Sequence, residues 1–484
     1  MQEPTKTTKN LPQLLAPAGN LAKLKIALSY GADAVYGGIS HFSLRNRAGK
    51  DFSLEDFRQG IELAHSLGKK VFVTINGFPF QAQIKALENH IAIMRDLNPD
   101  AFIVAAPGVL RLARQIAPNI PLHLSTQANV LTVLDAKTYM DLGVKRIVLA
   151  REASLQDCIE IKQNLKDLEL EMFVHGSMCF AFSGRCLISA LQQGRVPNRG
   201  SCANDCRLDY EYLVRDKASG RLVEYDPKEL YIRNKENQVL MRVEEGELGT
   251  HIFNAKDLNL ASHLGEILES NAIDALKIEG RTKSSYYAGL TARTYRLALE
   301  DYANKKLRPR LYQYELHTLK NRGFSEGYLV KRPFERGDTQ NHESAISEGS
   351  YQVCGEVGED GKSFLCKHTI RPFEWLEIVA PLSFYDSREF GCDFPFTNKI
   401  DSKKPESTAP SSAKGDGSKL EELANDIGQI VCIEGRYYLR LFKILTLSGK
   451  ELEAIHSGNT NPVCLPARLP PLSFLRIKLT KEEV

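Results

Sequence analysis

Glu171–Tyr210 reads EMFVHGSMCFAFSGRCLISALQQGRVPNRGSCANDCRLDY. Its first four residues, Glu171–Val174, have the composition of a short strand, and the chain leaves them through His175 and Gly176 straight into a loop rich in cysteine. A strand that delivers polar groups from its C-terminal end is the habit of parallel α/β folds, where chemistry collects at that end. The fold therefore turns on whether other strands of this kind accompany it.

They do. Short β-branched runs at Gln13–Ala16, Ala34–Gly37, Val71–Ile75, Ala101–Ala105, Leu122–Ser125 and Arg146–Leu149 precede Glu171–Val174, and an eighth, Ala275–Ile278, follows much later. Between them Leu21–Tyr30, Leu54–Leu67, Ile84–Leu97, Gly108–Ile116, Leu131–Leu142 and Leu155–Asn164 bring apolar residues round at helical spacing, and Tyr286–Tyr302 makes a closing helix. Eight strands with intervening helices predict a (β/α)8 TIM-like barrel over residues 11–303, after a mobile N-terminus at 1–10. An open doubly wound sheet is the alternative, but no strand is followed by the G-x-G-x-x-G fingerprint of its dinucleotide-binding form.

The cysteine loop opens an insertion at 176–250 between the seventh and eighth strands, including a charged, hairpin-like segment at Leu208–Val243. The chain returns through HIFNAKDLNL, His251–Leu260, read as a polar turn leading into a helix. Four of the ten cysteines, Cys179, Cys186, Cys202 and Cys206, lie within the loop, with six, fifteen and three residues between them. Soft thiolates select zinc, copper(I) or iron–sulfur clusters. Zinc stays open as an alternative, although only Cys202 and Cys206 have the short spacing usual in zinc sites. Disulfides would need an oxidising compartment, and the N-terminus carries no secretory signal, so a cytoplasmic location is expected. The other six cysteines, scattered singly, read as buried thiols.

Composition excludes some classes. Lysine plus arginine (63) against aspartate plus glutamate (60) leaves a net charge of +3, so any nucleic-acid surface must be local. No apolar run approaches the roughly 20 residues of a membrane span, and no membrane partner is expected. The local candidate is the basic aromatic connecting segment at 304–347. There Lys305, Lys306, Arg308, Arg310, Lys320, Arg322, Lys331 and Arg332 are interleaved with Tyr312, Tyr314, Phe324 and Tyr328. Cations for phosphates and rings for bases suit single-stranded RNA; a solvated basic helix with core aromatics is the equal alternative. From 348 to 484 short alternating runs predict a small C-terminal β-barrel domain, interrupted by a disordered loop at 398–418.

The strand ends nominate the site. His175 is a candidate acid–base group, and Glu279 and Arg281 follow the eighth strand. Arg45 and Arg47 could clamp a carboxylate or phosphate, while Gln127, Asn129 and Arg151 line the same predicted face. No H-E-x-x-H spacing occurs among the eleven histidines, and no nucleophile is recognisable.

The run EMFVHGSMCFAFSGRCLIS, with LLAPAGN, GADAVYGG, LSTQAN, LARE and LKIEGRTKSSYY in the same order, resembles the collagenase-like peptidase family, U32, over nearly the whole chain. SLRNRA, CANDCR and RGFSEGYL are most similar to its tRNA-modifying branch; the longer loop at 398–418 is a departure that leaves these blocks untouched. That resemblance implies oxygen-independent hydroxylation of the tRNA wobble uridine to 5-hydroxyuridine, with prephenate, or a similar dicarboxylate, as hydroxyl donor. It also implies a 4Fe-4S cluster on Cys179, Cys186, Cys202 and Cys206, with the iron–sulfur assembly machinery as a partner. Proteolysis, and an RNA-binding or cluster-carrying accessory role, are the other classes the family leaves open.

Overall fold

A computed structural model describes residues 11–39, 42–43, 52–179, 181–182, 186, 188–193, 213–224, 230–233, 240–246, 249–251, 255–330, 347, 349–385, 390–391, 420 and 422–479. The expected mobile N-terminus at 1–10 and loop at 398–418 lie outside these residues, as do Arg45, Arg47, Cys202, Cys206, Cys392, Lys331 and Arg332.

Strands β1 (Gln13–Pro17), β2 (Ala34–Gly37), β3 (Lys70–Ile75), β4 (Ala101–Val104), β5 (Leu122–Leu124), β6 (Val144–Val148) and β7 (Glu169–Gly176) pair in parallel, each with the next. The closing strand Ala275–Ile278 pairs in parallel with both β7 and β1, which completes an eight-stranded barrel. Helix starts follow from local capping chemistry. Ser53, Thr132, Ser154 and Ser284 each accept a hydrogen bond from the backbone N–H three residues on, which satisfies a donor the helix cannot. Inside the barrel Leu15, Ala34, Tyr36, Phe72, Ala101 and Ile103 form a small apolar cluster of their own, separate from the main core under the helices. No helix among the described residues is long and apolar enough to cross a membrane.

Strand β7 extends beyond its expected end because its upper part changes partner. On one edge β6 pairs with it only as far as Glu171, while on the other a register shift between Lys277 and Ile278 keeps the closing strand paired up to His175. His175 and Gly176 then pair antiparallel with Asn259 and Leu258. Asp257–Asn259 is therefore a strand, not the polar turn its sequence suggests, and it pairs in turn with Phe324–Ser325. Its polar side chains are tolerated because each finds a partner: buried Arg322 donates to Asp257, and the Asn259 side chain accepts from the Ala261 N–H. In the insertion, Leu213–Arg215 and Leu222–Glu224 form a hairpin, and Leu230–Arg233, Leu240–Gly246 and Gly249–His251 form a three-stranded antiparallel sheet.

The C-terminal domain is an antiparallel half-barrel sheet of eight strands, built mainly on Tyr351–Val357, Ser363–Cys366, Trp375–Val379, Gly428–Ile433, Arg436–Leu441 and Phe474–Lys478. It docks on the barrel through buried polar contacts. The Tyr30 hydroxyl donates to the carbonyl of Val379 at 2.8 Å, and Arg293 donates to that of Ala380 at 3.1 Å. At the centre, Glu315 of the helix Pro309–His317 meets Arg436, which also holds Glu377 at 2.9 Å; Arg476 donates to Glu377, Tyr286 and Thr318 at 2.9 Å. Both arginines and both glutamates are buried.

Candidate active site at the barrel mouth

The loops after the parallel strands build the mouth, and close packing of glycine makes room for its polar groups. A Cβ on Gly38 would stand 2.6 Å from Thr74 Oγ1 and 2.7 Å from Ser43 Oγ. Gly176 has φ +117°, and a Cβ there would meet the Glu279 carbonyl oxygen at 2.6 Å. Only glycine lets these strand ends approach so nearly.

Arg281 is buried across the ends of β2 and β3. Its Nη1 donates to Ser43 Oγ at 2.7 Å and Thr74 Oγ1 at 3.2 Å, and its Nη2 to the Gly38 carbonyl at 3.3 Å. The guanidinium is thus held by neutral oxygens of the mouth. Glu279, also buried, accepts at its backbone carbonyl from the Tyr287 hydroxyl at 2.9 Å. Opposite lies a chain of neutral groups: Asn76 Nδ2 reaches Ser125 Oγ at 3.4 Å, Ser125 Oγ donates to Gln127 Oε1 at 3.1 Å, and Asn129 Nδ2 donates to the Gln127 carbonyl at 2.8 Å. Asn129 adopts the left-handed region, φ 55°, which asparagine tolerates. Gln127 Nε2 is buried without a hydrogen-bond partner among the described residues, a donor in place for a bound group. The Arg151 guanidinium lies 4.1 Å from the centre of the Phe173 ring.

Deeper in the barrel is a charged cluster below the strand-end positions nominated from sequence. Glu171, fully buried, takes Lys277 Nζ at 2.6 Å and Arg146 Nη1 at 3.2 Å. Lys277 also faces the Tyr36 ring at 4.3 Å, and Arg146 reaches the half-exposed Glu169. Burial first, then the positive field of Arg146 and Lys277, holds the His123 imidazole well below its usual value. The missed signal was a charge at an inward-facing position of three apolar strands, Arg146 in VKRIV, Glu171 in ELEMFVHG and Lys277 in ALKI.

His175 is placed differently from the lumen groups. Its ring lies within 5.8 Å of the rings of Tyr287, Tyr295 and Phe324, and its Nδ1 has no partner among the described residues. Burial pushes its imidazole down to about 3, so it is neutral throughout the physiological range. Cys179 is exposed three residues beyond the end of β7, and Cys186 is half-buried. Among the described residues no three His, Cys, Asp or Glu side chains gather as a metal site.

The basic segment divides. Arg308 donates to Asp301 at 2.9 Å and 3.0 Å, Arg322 is buried against Asp257, and Tyr312 is fully buried with its hydroxyl on Asp301. Lys305, Lys306, Arg310 and Lys320 are exposed. The scattered cysteines Cys158, Cys354 and Cys366 are buried, and Cys432 and Cys464 are half-buried.

Comparison with known proteins bears on this site. The chain is 59% identical over 97% of its length, and 99% of the relative's, to the tRNA hydroxylation protein P of Helicobacter pylori strain J99. It is 37% identical to the protein of the same name from Escherichia coli strain K12, over 76% of this chain and 86% of that one. A solved U32 peptidase structure superimposes with a TM-score of 0.35 at 14% identity, covering 58% of this chain and 97% of the other. The sequence model of Peptidase family U32 matches residues 19–339, from the glycine loop after β1 into the connecting segment. On that match, and on relatives that share most of its length, the chain belongs to Peptidase family U32.

Proposed function

We propose that this protein hydroxylates the wobble uridine of tRNA at C5 to give 5-hydroxyuridine, with prephenate or a similar dicarboxylate as the hydroxyl donor. The observation that carries the reading is a polar, cation-rich barrel mouth in a chain 59% identical to a tRNA hydroxylation protein. An unpaired anticodon base can enter such a mouth at little cost in lost stacking. Placing oxygen on C5 is a two-electron oxidation of the base, so the donor is reduced by the same two electrons as it gives up its oxygen. Arg281 and the lumen cations Lys277 and Arg146 offer charge for the donor's carboxylates, with Arg45 and Arg47 as further candidates outside the described residues. Gln127 Nε2 and Asn76 supply neutral donors for a carbonyl or hydroxyl.

The donor set suits a 4Fe-4S cluster: Cys179 follows the end of β7 by three residues, Cys186 is half-buried, and Cys202 and Cys206 complete a set of four in sequence. When bound, such a cluster supplies electron-transfer or Lewis-acid chemistry that side chains lack. A peptidase reading would need a base with an orienting acceptor, and His175 has none on Nδ1 among the described residues.

The test is mass spectrometry of tRNA nucleosides from a strain lacking the protein and any parallel hydroxylation route, complemented with wild type or Cys186→Ala. Purified wild type is assayed alongside for casein and gelatin digestion. The expected result is 5-hydroxyuridine restored by wild type alone, with no digestion. Its persistence in the deletion strain overturns the reading, and digestion that survives metal chelation supports a peptidase instead.

A further inference from the structure

We propose that the cleft between the barrel and the C-terminal sheet is a phosphate-binding site that holds the tRNA backbone next to the barrel mouth. The proposal rests on the tRNA reading above and names the surface that reading lacks. The cleft encloses about 580 Å³, within the range of sites that take a nucleotide-sized ligand. Three elements distant in sequence each contribute one lysine to its lining: Lys283 from the loop after the closing strand, Lys320 from the end of the helix Pro309–His317, and Lys367 from the C-terminal sheet. Among the described residues that line the cleft they face one carboxylate, Glu356, which Lys367 approaches at 3.3 Å. Lys283 and Lys320 have no acidic partner among the described residues, although Lys283 lies 5.6 Å from the Tyr287 ring centre. An enclosed space with three ammonium groups against one carboxylate attracts an anion.

The wall adds to that field. The helix Ser285–Ala303 begins in the cleft, and its 19 residues align their peptide dipoles with the positive end there. Ser285 and Gln352 provide neutral hydrogen-bonding groups, and Tyr351 an aromatic edge. The walls are fixed in relation to each other: Arg476 of the sheet bonds Tyr286 and Thr318, and a Cβ on Gly349 would stand 2.8 Å from the Lys320 nitrogen. The cleft is therefore formed before any ligand arrives, which lowers the ordering cost of binding.

Its position gives the role. Lys283 is four residues beyond Glu279 and two beyond Arg281, so the cleft starts where the barrel mouth ends. A strand with one base in the mouth would run its neighbouring phosphates along this rim. Of the exposed cations described in the basic segment, Lys320 is the one that lines the cleft.

The experiment measures binding of fluorescein-labelled tRNA transcript by anisotropy across about 0.05 to 0.3 M KCl, where phosphate contacts make affinity fall with salt. Wild type is compared with Lys283→Gln/Lys320→Gln, with the single Lys320→Gln at an exposed position in case the double variant unfolds, and with Lys166→Gln at the opposite end of the barrel. Losing two phosphate contacts should weaken Kd about tenfold and lower the log–log salt slope by about 1.4, at about 0.7 per contact for a single strand. The single variant should show about half that slope change, and Lys166→Gln none. Inorganic pyrophosphate, as the small-phosphate probe, should displace tRNA from wild type only weakly. Unchanged Kd and slope in the folded cleft variants overturn the proposal. So does loss of pyrophosphate binding with tRNA binding intact, which would make the cleft a small-anion site. Either failure leaves the functional reading standing if deletion still removes 5-hydroxyuridine; persistence of that nucleoside after deletion removes the functional reading whatever the cleft variants do.

Discussion

Inside the barrel, one fully buried carboxylate, Glu171, lies between Lys277 and Arg146, and the other acid paired with the cluster among the described residues, Glu169, is half in solvent. Between the domains, two carboxylates, Glu315 and Glu377, face two guanidinium groups, Arg436 and Arg476, with every side chain 3% exposed or less. The four paired interdomain side chains are balanced and spent on one another, and buried Arg293, whose field also reaches Glu315, is held by the Ala380 carbonyl. The lumen set buries two cations against Glu171 alone beneath an open mouth, and after burial their field is the next cause that holds the His123 imidazole low. Desolvated ion clusters contribute little net stability over a packed apolar core, but removing one member is costly. Under the proposed function the balanced cluster serves docking and the unbalanced one the substrate.

The largest expected effect is on the balanced side. Arg476→Ala leaves Glu377 to Arg436 alone and removes the bonds to Tyr286 and Thr318, which should cost about 3–5 kcal/mol in urea unfolding. A loss below about 1 kcal/mol would mean that the domains are held by other contacts. On the unbalanced side, Lys277→Met removes a single bond and leaves Glu171 with Arg146, where Arg476→Ala removes bonds to three side chains, so a smaller loss of about 1–3 kcal/mol is expected, together with loss of 5-hydroxyuridine in cells. If this variant keeps the nucleoside, or proves the less stable of the two, the distinction between the clusters fails.

Acid sharpens the same contrast. Burial pushes the Glu315 carboxyl up, but Arg436 and Arg476 overcome it and hold the group at about 2. A carboxyl held below its ordinary 4.5 gives its full stabilisation above that value and loses it as pH falls through about 2. Domain docking, followed by unfolding free energy against pH, should weaken from about 4.5 downward, and Glu315→Gln should flatten that dependence. An equal slope in both proteins would place the acid-sensitive group elsewhere. The smallest effect belongs to the basic segment. Arg308→Lys keeps the charge but loses the two-pronged bond to Asp301, and should cost about 0.5 kcal/mol of stability with tRNA affinity unchanged.

The barrel was legible because its signals are local. Alternating apolar strands, helical spacing and capping residues such as Ser53 and Ser154 act over a few residues, so strand and helix limits lay within a few positions of those observed. The strand-end polar groups were legible for the same reason, since in a parallel barrel the end of each strand determines the face on which its next residues emerge. Partnership was not legible. Lys277 and Glu171 are 106 residues apart and Arg436 and Glu315 are 121 apart, and no local pattern says which strands bring them together. His175 looked like a mouth residue because it ends a strand; the change of partner along β7 instead placed it among Tyr287, Tyr295 and Phe324. The basic segment likewise looked uniform in sequence, and tertiary packing divided it, burying Arg322 on Asp257 while leaving Lys320 at the cleft. Residue type and spacing are properties of the chain, whereas the charge that a site presents is the remainder after burial and pairing, and only the folded arrangement determines that remainder.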